Sequence, residues 1–206
     1  INVLQKHTYY ITLHYITLYL VVVVVVDMAK AITGVFTITA SVSMNALGYA
    51  TTAIPIGSLI DVGDAQALEI EQVDFIYQNY DSAANLYEVI APNQPYALDA
   101  SFGCQLMDRN AGTFLIATDN NLISSSGVQY ANAENLSTAA TDFYPDDFQR
   151  TNGRFVVNDE LYATGYSSTA MAAGQNLVCS VRIRAKVVKL STRDWMAISL
   201  ETVQNE

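Results

Sequence analysis

Asn176–Leu190 reads NLVCSVRIRAKVVKL, and its alternation decides the fold class. Leu177, Cys179, Val181, Ile183, Ala185 and Val187 fall on one side; Val178, Ser180, Arg182, Arg184, Lys186 and Val188 fall on the other. Side chains alternate with period two only in an extended strand, so this segment predicts a half-buried β-strand with one apolar face. At about 3.3 Å per residue it would run roughly 50 Å, so it must bend or cross most of a sandwich.

Working outward, the same period recurs. In Gly34–Ser43 (GVFTITASVS), Phe36, Ile38, Ala40 and Val42 oppose Val35, Thr37, Thr39 and Ser41. Ala67–Gln78 (ALEIEQVDFIYQ) starts with Leu68 and Ile70 opposed to Glu69 and Glu71, then changes phase near Gln72, as a bulge or bend requires. Further strands are expected at Leu86–Ile90, Tyr96–Met107, Thr113–Thr118, Gly127–Tyr130, Arg154–Val157 and Leu161–Tyr166. Helix signals are few. Ser191 with Asp194 three residues on resembles a capping box and opens TRDWMAISLETV, a short C-terminal helix in which Trp195, Ile198 and Val203 share a face. Asn132–Thr141 reads as a loop or one or two helical turns.

Short strands, polar connections and almost no helix predict an all-β chain, a two-sheet β-sandwich. Jelly-roll and immunoglobulin-like topologies lead. The only Trp follows both cysteines, so the Cys…Trp…Cys order of immunoglobulin domains is absent and a single jelly roll is preferred.

With 206 residues there is room for one such domain, placed at 28–206, behind a hydrophobic segment at 1–27. Tyr9–Val26 (YYITLHYITLYLVVVVVV) holds 18 residues without Asp, Glu, Lys or Arg, long enough to cross a bilayer as a helix. Tyr9 and Tyr10 suit an interface, and Leu13, Leu18, Leu20, Val21 and Val26 suit the interior. Against this, β-branched residues form helices poorly in water. A second reading stands beside the first: Met28-Ala29-Lys30 looks like a translation start, so 1–27 is either a membrane anchor or assembly arm, or upstream read-through.

Composition narrows the function. Twenty acidic against ten basic residues give a net charge of −10, which disfavours direct contact with a phosphate backbone, so no direct nucleic-acid partner is expected. Five of those ten basic residues (Arg182, Arg184, Lys186, Lys189, Arg193) lie within 12 positions. Either they form a solvated outer face, or Arg182, Arg184 and Lys186 meet the acidic surface of a neighbouring copy; nucleic-acid contact by this strip comes third.

The only histidines, His7 and His14, lie in the N-terminal segment, which removes Ser-His-Asp and Cys-His chemistry from the body. Asp146–Asp147 and Asp159–Glu160 are adjacent pairs that point to opposite sides of an extended chain. Asp61 and Asp64 in DVGDA lack the spacing of a calcium loop. Cys104 and Cys179, 75 positions apart and without CxxC spacing, read as buried apolar residues or as a bridge between neighbouring strands. No enzyme, cofactor or metal site is expected.

The segment FVVNDELYATGYSSTAMAAGQNLVCSVRIRAKVVKLSTRDWMAISLE, within Arg154–Glu201, resembles the closing strands of single jelly-roll capsid proteins of tailless icosahedral viruses, the membrane-containing archaeal and marine kind. There a strand with LY precedes a small-residue loop, a basic strand and a short terminal helix. The resemblance is one of pattern rather than of diagnostic motif. It implies a structural virion protein: subunits that form homo-oligomeric capsomers, join other capsid proteins into an icosahedral shell, and enclose a lipid vesicle that separates coat from genome. The hydrophobic N-terminus departs from that pattern. It keeps open a membrane-anchored, extracellular or cell-surface subunit such as an adhesin or pilus-like protein. A third reading, a carbohydrate-binding jelly roll, draws on 13 Tyr and one Trp, because aromatic faces stack on sugars.

Overall fold

A computed structural model describes residues 29–89, 99–131, 136–139, 153–171 and 173–203. The hydrophobic segment at 1–27 and the Asp146–Asp147 pair lie outside the described residues. The strands are β1 (Ala29–Ala31), β2 (Phe36–Ser43), β3 (Gly48–Pro55), β4 (Gln66–Asp81), β5 (Leu86–Val89), β6 (Ala100–Met107), β7 (Leu122–Ala131), β8 (Leu136–Ala139), β9 (Arg154–Val156), β10 (Glu160–Ser167) and β11 (Gln175–Leu190), followed by helix α1 (Thr192–Val203).

They form two antiparallel sheets. One has β11 and β4 at its centre, with β2 and β1 end to end along the free side of β11, and β5 and β9 along the free side of β4. The other runs β3-β10-β6-β7-β8. First pairs with last throughout: β2 with β11, β3 with β10, β4 with β9, and β6 with β7 innermost. That nesting is a long hairpin rolled on itself, with β2-β11-β4-β9 facing β3-β10-β6-β7, which is the eight-stranded jelly roll.

β11 holds its predicted phase along its whole length. Leu177, Cys179, Val181, Ile183, Ala185 and Val187 are all buried against the second sheet, while Arg182 and Arg184 are exposed. It crosses the sheet rather than folding back, so its 16 residues form the main axis of the sandwich. The phase change expected in β4 is a bulge: Arg184 pairs with Gln72 but Ala185 pairs with Ile70, leaving Glu71 as the extra residue. On one side of it Leu68 and Ile70 point inward; on the other Val73 does, with Phe75 and Tyr77 packed partly buried against the same core. One bulged residue thus keeps the apolar face inward on both halves of a 16-residue strand.

The core joins Val42, Ile70, Val73, Leu177, Val181 and Ile183 of the first sheet to Phe102, Leu106, Ile123, Leu161 and Ala163 of the second. Each large side chain among them contributes about 1.5–3 kcal/mol by leaving water. A smaller cluster of Ala67, Val157, Val188 and Leu190 receives Trp195 and Ile198 of α1, the face expected from the sequence; the side chain of Val203 lies outside what is described. Ser191 caps this helix, its Oγ accepting from the Asp194 amide at 3.2 Å and donating to Asp194 Oδ2 at 2.6 Å.

Two local expectations are corrected, and one strand has no counterpart in the sequence reading. Thr113–Thr118 is not a strand. Its Leu115 backbone instead pairs with the side-chain amide of Gln105, which donates to Leu115 O at 3.1 Å and accepts from Leu115 N at 2.8 Å, so a carboxamide replaces a neighbouring strand. Within Asn132–Thr141, Leu136–Ala139 is strand β8 rather than loop or helix, because the exposed edge of β7 supplies the pairing that alanine-rich sequence does not advertise. Strand β3, GYATTAIP, carries too little apolar contrast to show as alternation; only Ile54 in it is buried.

Candidate assembly surface

Arg182, Arg184 and Lys186 project from the outer face of the first sheet, since the inward positions of β11 alternate with them. Their register neighbours are small or polar: Thr39 and Asp74 flank Arg182, and Thr37 and Gln72 flank Arg184. Arg184 donates from Nη1 to Gln72 Oε1 at 3.1 Å. Neither arginine enters an ion pair among the described residues.

Lys186 differs. Its Nζ lies 3.1 Å from Glu69 Oε1 and 3.1 Å from Glu71 Oε1, so it is held inside its own chain. Both carboxylates reach one ammonium because Glu69 and Glu71, two positions apart, lie on the outer face of β4, and Lys186 pairs in register with Glu69. Burial opposes the charge on Lys186, but the hydrogen bonds to Glu71 and Glu69 outweigh it and hold the group above its ordinary pKa. Lys189 likewise pairs with Asp64. The basic strip foreseen from the sequence is therefore two exposed arginines beside two internally paired lysines.

The outer face of the second sheet carries an aromatic group. Tyr49 on β3, Tyr166 on β10 and Phe114 meet with ring centroids 5.0–6.0 Å apart. Phe114 sits over Gly103, where an added Cβ would come within 2.9 Å of its ring. The rings are inclined to one another by 47–67°, so they present edges and corners rather than one continuous plane for a sugar.

Among the described residues, the acidic pairs singled out in the sequence, Asp61 with Asp64 and Asp159 with Glu160, form no metal-binding group. Asp61 Oδ1 accepts from the Gly63 amide at 2.9 Å, an Asx turn, while Asp64 faces Lys189. Asp159 and Glu160 are exposed, and Glu160 accepts from the Tyr162 hydroxyl. No group of three metal-binding side chains forms among the described residues, and no helix among them is long and apolar enough to cross a membrane.

The polar cluster missed in the sequence lies at one end of the sandwich. Asp108, at the end of β6, is buried against Arg154 of β9, whose guanidinium also donates to Asn120 O; alongside, Arg109 pairs with Asp119 at 2.9 Å. Asp119 Oδ1 in turn accepts from the backbone and side chain of Asn121. These residues are scattered over 46 positions, and only the pairing of β4 with β9 brings Arg154 to them.

No family model matches the chain, and no curated protein matches it. Among solved structures, it is similar to VP1 of the Trichodysplasia spinulosa-associated polyomavirus in complex with 6'-sialyllactose, with 9% identity and a TM-score of 0.40 over 79% of this chain and 98% of that one. Similarity to Desmodium yellow mottle tymovirus has 12% identity and a TM-score of 0.30, over 77% of this chain and 84% of that one. For the extra small virus of the prawn Macrobrachium rosenbergii the values are 13%, 0.27, 78% and 83%. The fold assignment rests on the strand order described above.

Proposed function

We propose that the chain is a structural virion protein, a jelly-roll coat subunit whose copies join through their flanks into an icosahedral shell. A fold alone does not give a function. What adds to it is the resemblance of Arg154–Glu201 to the closing strands of single jelly-roll capsid proteins, and the nested strand order is the one that resemblance implies. The observation that carries the proposal is the outer face of the first sheet, where exposed Arg182 and Arg184 stand without ion pairs among the described residues, on a chain of net charge −10. Copies so charged repel one another at long range, and an exposed cationic strip facing a neighbour's carboxylates offsets that repulsion where it fixes register.

The partners proposed are further copies and other capsid proteins. A lipid partner rests on Tyr9–Val26 alone. Electron microscopy of the purified full chain tests the reading. Closed shells are expected; filaments or planar lattices would favour an anchored surface subunit, and a protein that stays monomeric at all concentrations would reject assembly and favour a glycan-binding module.

A further inference from the structure

Cys104 and Cys179 come from different sheets. Cys104 sits on β6, flanked by Ser126 of β7 and Gly165 of β10; Cys179 sits on β11, between Val42 of β2 and Tyr77 of β4. Both are fully buried free thiols of the one core cluster, and their flanking residues meet across the interior: the Tyr77 hydroxyl donates to Ser126 O at 3.0 Å, and a Cβ on Gly165 would lie 3.0 Å from Val42 Cγ1, so the two thiols face each other between the sheets. Two thiols facing each other between central strands are one bond short of a staple. Packed sheets stand about 10 Å apart, a gap that immunoglobulin domains bridge with a single disulfide.

We infer that Cys104 and Cys179 form a latent oxidation site, which a small peroxide converts into a disulfide joining β6 to β11. The chemistry needs one equivalent of hydrogen peroxide. The sulfur of one cysteine attacks the peroxide, breaking its O–O bond, and becomes a sulfenic acid with release of one water. The second sulfur then displaces the sulfenic hydroxyl, which leaves as another water, and the S–S bond forms. Two thiols lose two electrons and two protons, and the peroxide is reduced to two waters. Burial selects the oxidant: a bulky disulfide cannot reach sulfurs enclosed on all sides, whereas peroxide enters with ordinary local opening.

Burial also sets the pace. The hydrogen bond to Cys179 and then desolvation raise the Cys104 thiol well above its ordinary pKa, so its thiolate is scarce. The pair therefore stays reduced while thiols are kept reduced around it, and closes under sustained exposure to oxidant. Once closed, the bond ties the centre of one sheet to the centre of the other through a loop of 75 positions. By the loop-entropy argument it should raise the melting temperature by roughly 10 °C.

The test uses the purified full chain under native conditions, and its readouts do not require assembly, so its failure is separate from failure of the coat-subunit reading. The chain is incubated with hydrogen peroxide, quenched, alkylated, and analysed by intact mass, non-reducing peptide mapping and thermal melting. Expected are a loss of about 2 Da, one crosslinked peptide pair containing both cysteines, and a higher melting temperature that a dithiol reductant reverses. Cys104→Ala and Cys179→Ala should show none of these. Mass gains of about 16 or 32 Da without a crosslink, or two thiols that remain alkylatable after prolonged treatment, would overturn the inference. Because the wild-type mass decides, the outcome does not depend on either variant folding.

Discussion

Asp108 Oδ2 lies 3.2 Å from Arg154 Nη2, while Asp108 Oδ1, equally buried, receives no donor among the described residues. One guanidinium therefore compensates half of a carboxylate that has left water. Burial pushes the Asp108 pKa up from 3.8 to about 6; Arg154 pulls it down, and nearby Asp119 adds to the rise. The tie nonetheless holds the end of β6 to β9, and Asn158 Nδ2 reinforces it by donating to Asp108 O at 2.8 Å.

Because the folded pKa is the higher one, the folded state keeps this proton longer than the unfolded chain does. The stability contribution of the group is then fully present below pH 3.8 and is lost as pH rises through about 6. From this group alone, stability should fall by up to about 3 kcal/mol across that window. Asp108→Asn, which keeps the shape without the charge, should flatten that part of the profile. Urea unfolding of wild type and variant at several pH values between 4 and 7 checks it; an unchanged slope in the variant would contradict the assignment.

The two exposed arginines and the paired lysine should separate in mutation. Arg182→Glu with Arg184→Glu removes no internal ion pair, so stability should change by no more than about 1 kcal/mol. Particle yield, measured by sedimentation and electron microscopy, should drop to background. Normal shells from a folded double variant would remove this face from the assembly contacts.

Lys186→Met should act on folding instead. It leaves Glu69 and Glu71 as close like charges, with Glu71 only 8% exposed, and should cost about 1–3 kcal/mol at neutral pH. Acidification should recover part of the loss as the glutamates take up protons. Thermal melts at pH 7 and pH 4.5 make the comparison.

Gly165 marks a tight point of the sandwich. A Cβ there would lie 2.7 Å from Met44 Cγ and Sδ and 3.0 Å from Val42 Cγ1. Gly165→Ala should therefore cost about 1–3 kcal/mol through overpacking. Met44→Val in the same chain should recover part of it by making room. A double-mutant cycle on unfolding free energies tests the coupling.

The residue pattern alone determined how the strands β2, β4 and β11 lie, because alternation of apolar and polar side chains is a local property with a period of two. It also determined a phase slip near Gln72, which the register places at Glu71, and the cap at Ser191, each a matter of neighbours a few positions apart. Strands β3 and β8 escaped notice because Ala, Thr and Ser give no contrast between faces, and it is their partners β10 and β7 that hold them extended. Thr113–Thr118 has the composition of a strand, but the Leu115 backbone is bonded by the Gln105 side chain rather than by a neighbouring strand. The tertiary structure alone decided how these charges are used: Lys186 and Arg182 are equivalent in the sequence, but the register of β11 on β4 sets the first against Glu69, with Glu71 beside it, and leaves the second exposed. It alone brought Cys104 to Cys179 and Asp108 to Arg154, since contacts between residues 75 and 46 positions apart depend on how the sheets close over one another, which no local pattern encodes.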